Sequence, residues 1–138
     1  EKVNGYAQIV VEDYLKAEIT FTAPARFVRA NPKVREDAGK TAIVRGPLVY
    51  CLEQADNGEN LSAISVDTTQ ELQTENSDLF GGSVLIKGKG RRLCEEDWSE
   101  GLYGEEKLPE KEIDITAVPY FCWNNRGIGE MEVWIREK

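Results

Sequence analysis

The run Gly39-Lys40-Thr41-Ala42-Ile43-Val44-Arg45-Gly46-Pro47-Leu48-Val49-Tyr50-Cys51-Leu52-Glu53 constrains this chain more than any other stretch. From Ala42 to Leu52 only Arg45 is charged. The run reads as a strand buried on both faces, or as two strands split at Gly46-Pro47. Pro47 has no N–H to give to a sheet centre, so a bulge or bend is expected at Gly46-Pro47, with strand on either side. The Arg45 guanidinium must find a carboxylate or carbonyls; a structural ion pair or an outward-facing edge position is the simplest reading.

Short β runs recur on both sides of this stretch. A strand is expected around residues 7–11. Residues 16–22 alternate, with Ala17, Ile19 and Phe21 on one face, as a half-buried strand does. Glu12-Asp13 between them suggests a hairpin loop. A short strand is expected over 26–30, Asn31-Pro32 signals a turn, and 34–39 reads as a turn or one helical turn. Residues 54–60 read as a loop on composition. Weaker strands are expected at 61–66, 71–74 and 83–88, with a turn at Phe80-Gly81-Gly82. Residues 94–112 read as a long acidic loop, with Trp98 and Tyr103 able to hold it onto the body. Residues 113–123 are the second strong β run. The turn Asn124-Asn125-Arg126-Gly127-Ile128-Gly129 and a return strand over 131–136 complete an expected hairpin from 116 to 136. No helical period persists over ten residues. The expected class is therefore all-β: an antiparallel β-sandwich or jelly roll, as a single domain over 1–138.

A chain of 138 residues buries roughly two thirds of its unfolded surface and needs no disulfide at that size. Seventeen basic against 25 acidic residues leave a net charge of −8. The basic residues form only Arg91-Arg92 and the sparse set Arg26, Arg29, Lys33 and Arg35. That argues against nucleic acid and anionic membrane as partners. No apolar run reaches the roughly 18 residues of a membrane-spanning helix. The chain opens Glu1-Lys2-Val3, with neither a methionine nor a signal peptide, and reads as processed or excised from something longer.

There is no histidine, which removes the commonest general base, the Ser/Cys–His dyads and most zinc sites. Cys51, Cys94 and Cys122 are odd in number and lack CxxC spacing, and they read as buried small hydrophobes. The odd count favours a reducing, cytoplasmic compartment over secretion. Glu95-Glu96-Asp97 and Glu105-Glu106 could supply paired carboxylates for glycosidic chemistry or a cation, but adjacent acids in an acidic loop are ordinarily just solvated. Gly81-Gly82 and Gly88-Lys89-Gly90 lack the strand–loop–helix setting of a phosphate cradle and read as turns. The aromatic residues are more suggestive. If Phe121 and Trp123 share a sheet face with Trp134, they make an aromatic patch. Core packing, an interface for another domain or subunit, and stacking of sugar rings all remain open for it. Phe121, Trp123, Trp134 and Arg45 are thus the candidate binding residues.

Two motifs carry a resemblance. Ala30-Asn31-Pro32-Lys33-Val34-Arg35 with Arg45-Gly46-Pro47-Leu48-Val49-Tyr50-Cys51-Leu52-Glu53 is similar to the C-terminal part of the β-L-arabinofuranosidase family of glycoside hydrolases. So is Thr116-Ala117-Val118-Pro119-Tyr120-Phe121-Cys122-Trp123-Asn124-Asn125-Arg126-Gly127 with Gly129-Glu130-Met131-Glu132-Val133-Trp134, and Val3-Asn4-Gly5-Tyr6 also fits. The family pattern departs at Tyr14 and Lys16-Ala17, where it has a Trp and then Gly-Asp, and residues 54–112 match only loosely. The resemblance implies an (α/α)₆ catalytic barrel followed by β-sandwich domains. It also implies retaining hydrolysis by a cysteine nucleophile on a zinc held by cysteines and a glutamate. Those residues belong to the barrel, so no catalytic or metal-binding residue is carried onto this chain, and zinc is implied only for the absent domain. Residues 1–25 are then candidates for the last strands of a preceding sandwich. The expected role is a non-catalytic C-terminal sandwich that packs on the barrel and could mediate a homodimer. The alternative is a carbohydrate-binding module that holds an oligosaccharide on its surface aromatics.

Overall fold

The computed structural model describes residues 2–8, 16, 18–99 and 101–138. Eleven strands are found among them. A small hairpin, β1 (Lys2–Val3) and β2 (Tyr6–Ala7), stands apart from the rest. The main sheet holds β3 (Ala25–Arg29), β4 (Lys40–Arg45), β5 (Leu48–Glu53), β6 (Ile64–Val66), β7 (Gln73–Ser77), β8 (Ser83–Leu93), β9 (Glu110–Pro119), β10 (Met131–Glu132) and β11 (Ile135–Glu137). The all-β class is as expected, and pairing is antiparallel except between β6 and β11.

The architecture follows from strands that change partners along their length. Gly46-Pro47 is a two-residue hairpin turn joining β4 to β5, with Arg45 opposite Leu48. Gly46 has φ +55°, as the first central position of a type II′ turn requires, and proline supplies the negative φ that follows. The expected bend is thus a full reversal that splits the apolar run. β4 and β5 pair only over Ile43–Arg45 and Leu48–Tyr50. Beyond that, the same edge of β4 takes β11, and the same edge of β5 takes β10. The chains diverge into two layers, β3-β4-β11-β6 and β10-β5-β9-β8. β8 closes the far side, pairing β7 from Ser83 to Lys87 and β6 from Gly90 to Arg92. Corners of this kind are made where a strand bends from one layer into the other.

Gly88 and Gly90 sit at the switch of β8. A Cβ on Gly90 would stand 3.0 Å from both the Ser65 carbonyl oxygen and Ile115 Cγ2, and one on Gly88 2.9 Å from Leu72 Cδ2. These glycines allow close approach within a strand; the turn expected at 88–90 is absent, and the strand runs on to Leu93. Between the layers lies a core of Ile43, Tyr50, Leu52, Leu61, Ile64, Val66, Ile86, Ile115, Ala117 and Ile135. The opposite parity of β5 and β9 is also covered, with Cys51 and Val118 packing with Leu85, Met131 and Val133. Burial on both faces is what the apolar run implied. Tyr50 satisfies its hydroxyl by donating to the Val84 carbonyl at 3.0 Å.

Four sequence expectations need correction. The hairpin from 116 to 136 does not form: β9 pairs β5 and β8, whereas β10 pairs β5 and β11 pairs β4 and β6. A 3₁₀ turn over Tyr120–Cys122 carries the chain out of the β9 ladder, leaving β5 between β9 and β10. Residues 18–22 are exposed and not in strand, with Phe21 84% and Ile19 69% exposed; alternation alone supplies no partner sheet. The strand expected at 7–11 and the loop at Glu12-Asp13 fall largely outside the described residues. Residues 54–60 are not simply loop: Gln54–Asn57 form one helical turn. Finally, Trp98 donates to the Gly101 carbonyl at 2.8 Å, and Tyr103 is 94% exposed, so the acidic loop closes on itself rather than onto the body.

The corner at β8 gives a direct test. Gly90→Ala forces a methyl against Ser65 and Ile115 and should destabilise the fold by about 1–3 kcal/mol, read as a lower urea midpoint. An unchanged midpoint would show that this approach is not tight.

Candidate functional site

The loop chemistry centres on Arg126. Its guanidinium bonds the Glu53 carboxylate and both oxygens of Asp56, at 2.8 and 2.5 Å, and stacks over the Phe80 ring with 5.7 Å to the centroid. Glu53 is buried at the end of β5 and also accepts from the Asn124 N–H at 2.9 Å. A buried carboxylate facing a partly buried guanidinium is matched by charge-assisted hydrogen bonds. The two carboxylates push the Arg126 pKa further up, Asp56 contributing most and burial opposing.

Around this pair the helical turn and the loop are stitched together. The Asn57 side-chain amide donates to the Glu53 and Thr116 carbonyls and accepts from the Thr116 N–H, all at 2.9 Å, so it completes the β9 ladder where no strand does. Glu130 accepts from the backbone N–H groups of Asn60 and Leu61, at 3.1 and 2.7 Å, while Gln54 Oε1 accepts from the Glu130 N–H at 3.0 Å. The sequence reading placed Arg126 in a turn and passed over Glu53, Asp56, Asn57 and Glu130. The one available signal was an acid closing an apolar strand at Glu53, which implies a buried charge in need of a cation.

The candidate binding residues divide between separate surfaces. Trp123, 37% exposed, lines a cleft with Glu53, Arg126, Ile128 and Glu130. Trp134 lines a second, with Val49, Tyr120, Met131 and Glu132. Phe121, 68% exposed, lines a third with Arg45, Leu48, Tyr50, Asp78 and Ser83. The structure therefore brings Phe121 and Arg45 together and leaves Trp123 and Trp134 apart from them. Phe121 sits on the 3₁₀ turn and Trp123 follows it, so neither stands on a sheet face. Arg45 points along the parity of Ile43 at the hairpin end of the core and lies beside the Tyr50 phenol. Burial raises the Tyr50 pKa, and Arg45 partly offsets that. Arg45 Nε and Ser83 Oγ are buried without a hydrogen-bond partner, as is Glu132 Oε2 in the second groove. Burial also raises the Glu132 pKa, with Lys40 and Arg136 opposing.

All three cysteines are free thiols. Burial, with Glu53 adding to it, pushes Cys51 up to about 12, and burial raises Cys122 as well. Neither is an activated thiolate. Among the described residues no three His, Cys, Asp or Glu side chains gather as a metal ion would need.

Two outcomes follow from this geometry. Arg126→Met strands the buried Glu53 carboxylate and should cost about 3–5 kcal/mol; adding Glu53→Gln should recover part of that loss in denaturation experiments. Independent effects of the two changes would contradict the coupling. Second, iodoacetamide at pH 8.5 should alkylate the half-buried Cys94 and spare Cys51 and Cys122, read by peptide mass. The unfolded chain ionises Cys51 near 9.0 and the folded chain near 12, so the fold binds the extra proton and its stability falls as pH rises through that window.

Comparisons with known proteins bear on the fold as a whole. The model of the glycoside hydrolase family 127 C-terminal domain matches residues 25–136. A non-reducing end β-L-arabinofuranosidase of Bifidobacterium longum subsp. longum is 36% identical over 141 residues, covering 96% of this chain and 21% of the relative. The crystal structure of a family 127 β-L-arabinofuranosidase from Geobacillus stearothermophilus T6 superposes with a TM-score of 0.82 at 41% identity, over 86% of this chain and 19% of that one. A second family 127 β-arabinofuranosidase structure gives a TM-score of 0.73 at 34% identity, over 86% of this chain and 18% of that one. This chain spans about a fifth of the length of these relatives and covers only their C-terminal part. With the match running from β3 to β11, the chain belongs to glycoside hydrolase family 127, as its C-terminal domain.

Proposed function

We propose that this domain is non-catalytic and serves as a structural support for the catalytic barrel of a β-L-arabinofuranosidase-like polypeptide. The observation that carries the reading is the family match to a C-terminal domain in relatives about five times longer. The site chemistry supports it. The strongest polar cluster, Arg126 with Glu53 and Asp56, is an internally satisfied ion pair that ties loops together. The zinc implied for the family's catalytic part does not fit the residues here, because Cys51 and Cys122 are buried thiols with raised pKa values and no clustered co-ligands among the described residues. Residues 1–24 are assigned to the preceding unit of the longer polypeptide. The family match starting at residue 25 and the exposed, strandless 18–24 support that boundary. The free cysteines support a reducing compartment.

The purified chain should show no hydrolysis of β-L-arabinofuranosides with or without added zinc, and no heat of binding with arabino-oligosaccharides at millimolar concentration. Zinc-dependent turnover by the chain alone would overturn the non-catalytic reading. A saturable binding heat lost in Phe121→Ala would instead make it a carbohydrate-binding module.

A further inference from the structure

The hairpin end of the sandwich is unfinished. Tyr50 pairs with Pro119, so Leu48-Val49 and Tyr120-Phe121 stand side by side just beyond the last paired residues. All four are exposed, from 37% at Leu48 to 68% at Phe121. Leu48 and Phe121 border the groove that holds Arg45 and Ser83, whereas Val49 and Tyr120 border the groove that holds Glu132, Met131 and Trp134. An apolar ridge thus runs between two grooves, and each groove contains buried polar atoms without partners: Arg45 Nε and Ser83 Oγ on one side, Glu132 Oε2 on the other.

Buried, unbonded polar atoms are costly, and charged ones most so. The two remaining buried nitrogens without partners, Arg126 Nε and Arg136 Nε, belong to guanidiniums engaged through their terminal nitrogens: Arg126 with Glu53 and Asp56, Arg136 with the Ala63 carbonyl. Arg45 stands within hydrogen-bonding reach of the Tyr50 phenol and, like Glu132, has no ion pair among the described residues. A single sugar could fill one groove but would leave the other open. An occupant that covers the ridge and meets a cation on one flank and a carboxylate on the other has the dimensions of a protein surface.

The path of the chain indicates which protein surface. Ala23, Pro24 and Ala25 line the groove that adjoins Arg45 on its other side, and Ala23 Cβ lies 3.4 Å from where a Cβ on Gly46 would be. Polypeptide entering β3 therefore arrives at the hairpin tip, at the same end of the sandwich as the ridge. We propose that this end is the docking face for the upstream part of the same polypeptide. That part would present a carboxylate or carbonyls to Arg45 and a lysine or arginine to Glu132. This rests on the reading of the chain as the C-terminal domain of a longer glycoside hydrolase and identifies the surface that joins the two.

The test uses the full-length polypeptide. Phe121→Cys and, separately, Val49→Cys are labelled with a maleimide beside Ile128→Cys, a fully exposed position on the 124–130 loop, with sites assigned by peptide mass. The first two should react at least about tenfold more slowly than the third, since a covered thiol reacts only on local opening. Equal rates would overturn the proposal while leaving the accessory-domain reading intact. Protection that vanishes on dilution would assign the face to a second copy, and protection that appears only with added arabino-oligosaccharide would assign it to sugar; either overturns the proposal. Hydrolysis by the 138-residue chain alone would instead remove the reading beneath it.

Discussion

The structure depends on a short, deliberately incomplete pairing. β4 and β5 are joined by the tightest available turn, at Gly46-Pro47, and stay hydrogen-bonded for three residues each before parting. Had the ladder continued, they would form one flat hairpin with a single buried face. Because they part, β4 goes on to pair β11 and β5 to pair β10, and Ile43 and Leu52 both join the shared core. β8 makes the same manoeuvre on the opposite side, where Gly88 and Gly90 let Leu72, Ile115 and the Ser65 backbone approach closely. Two partner-switching strands turn what would be an open sheet into a two-layered sandwich, the usual way such corners are built.

The loops at the Glu53 end are fixed by electrostatics rather than by apolar burial. Glu53 ends the apolar strand at 6% exposure, where a lone carboxylate would be destabilising. Arg126, arriving from a turn more than seventy residues away, meets it together with Asp56. Asn57 and Glu130 then satisfy backbone groups that no strand reaches. The polar groups of this cluster bond chiefly to one another and to the backbone they hold in place. At the hairpin end the situation is reversed: apolar side chains face solvent, and charged atoms lie buried without partners.

Much of this was legible in the sequence where a signal is local. The runs through residues 42–52 and 113–123 signal strands because apolar density and β-branching act at short range, although the second leaves the strand after Pro119. Phe121 and Arg45, both candidate binding residues on sequence grounds, line one groove. What was not legible depends on distant partners. The 116–136 hairpin looked favourable because its turn is rich in Asn and Gly, yet Met131 found Glu53 as its partner instead. Gly88 and Gly90 read as turn residues because periodicity cannot distinguish a glycine that bends a chain from one that lets another chain approach. Strand parity does not separate Trp134 from Phe121, because Phe121 lies beyond the end of β9 and Trp134 in the break between β10 and β11.

On the proposed reading, the hairpin end of the domain faces the polypeptide that precedes it. An experimental structure of the full-length polypeptide tests this most directly. It should show the Leu48-Val49 and Tyr120-Phe121 ridge buried against the upstream part, with an acceptor on Arg45 and a cation on Glu132. A structure in which that ridge lies in solvent, while upstream residues pack against the Arg126 loop or the outer surface of β8, would contradict it.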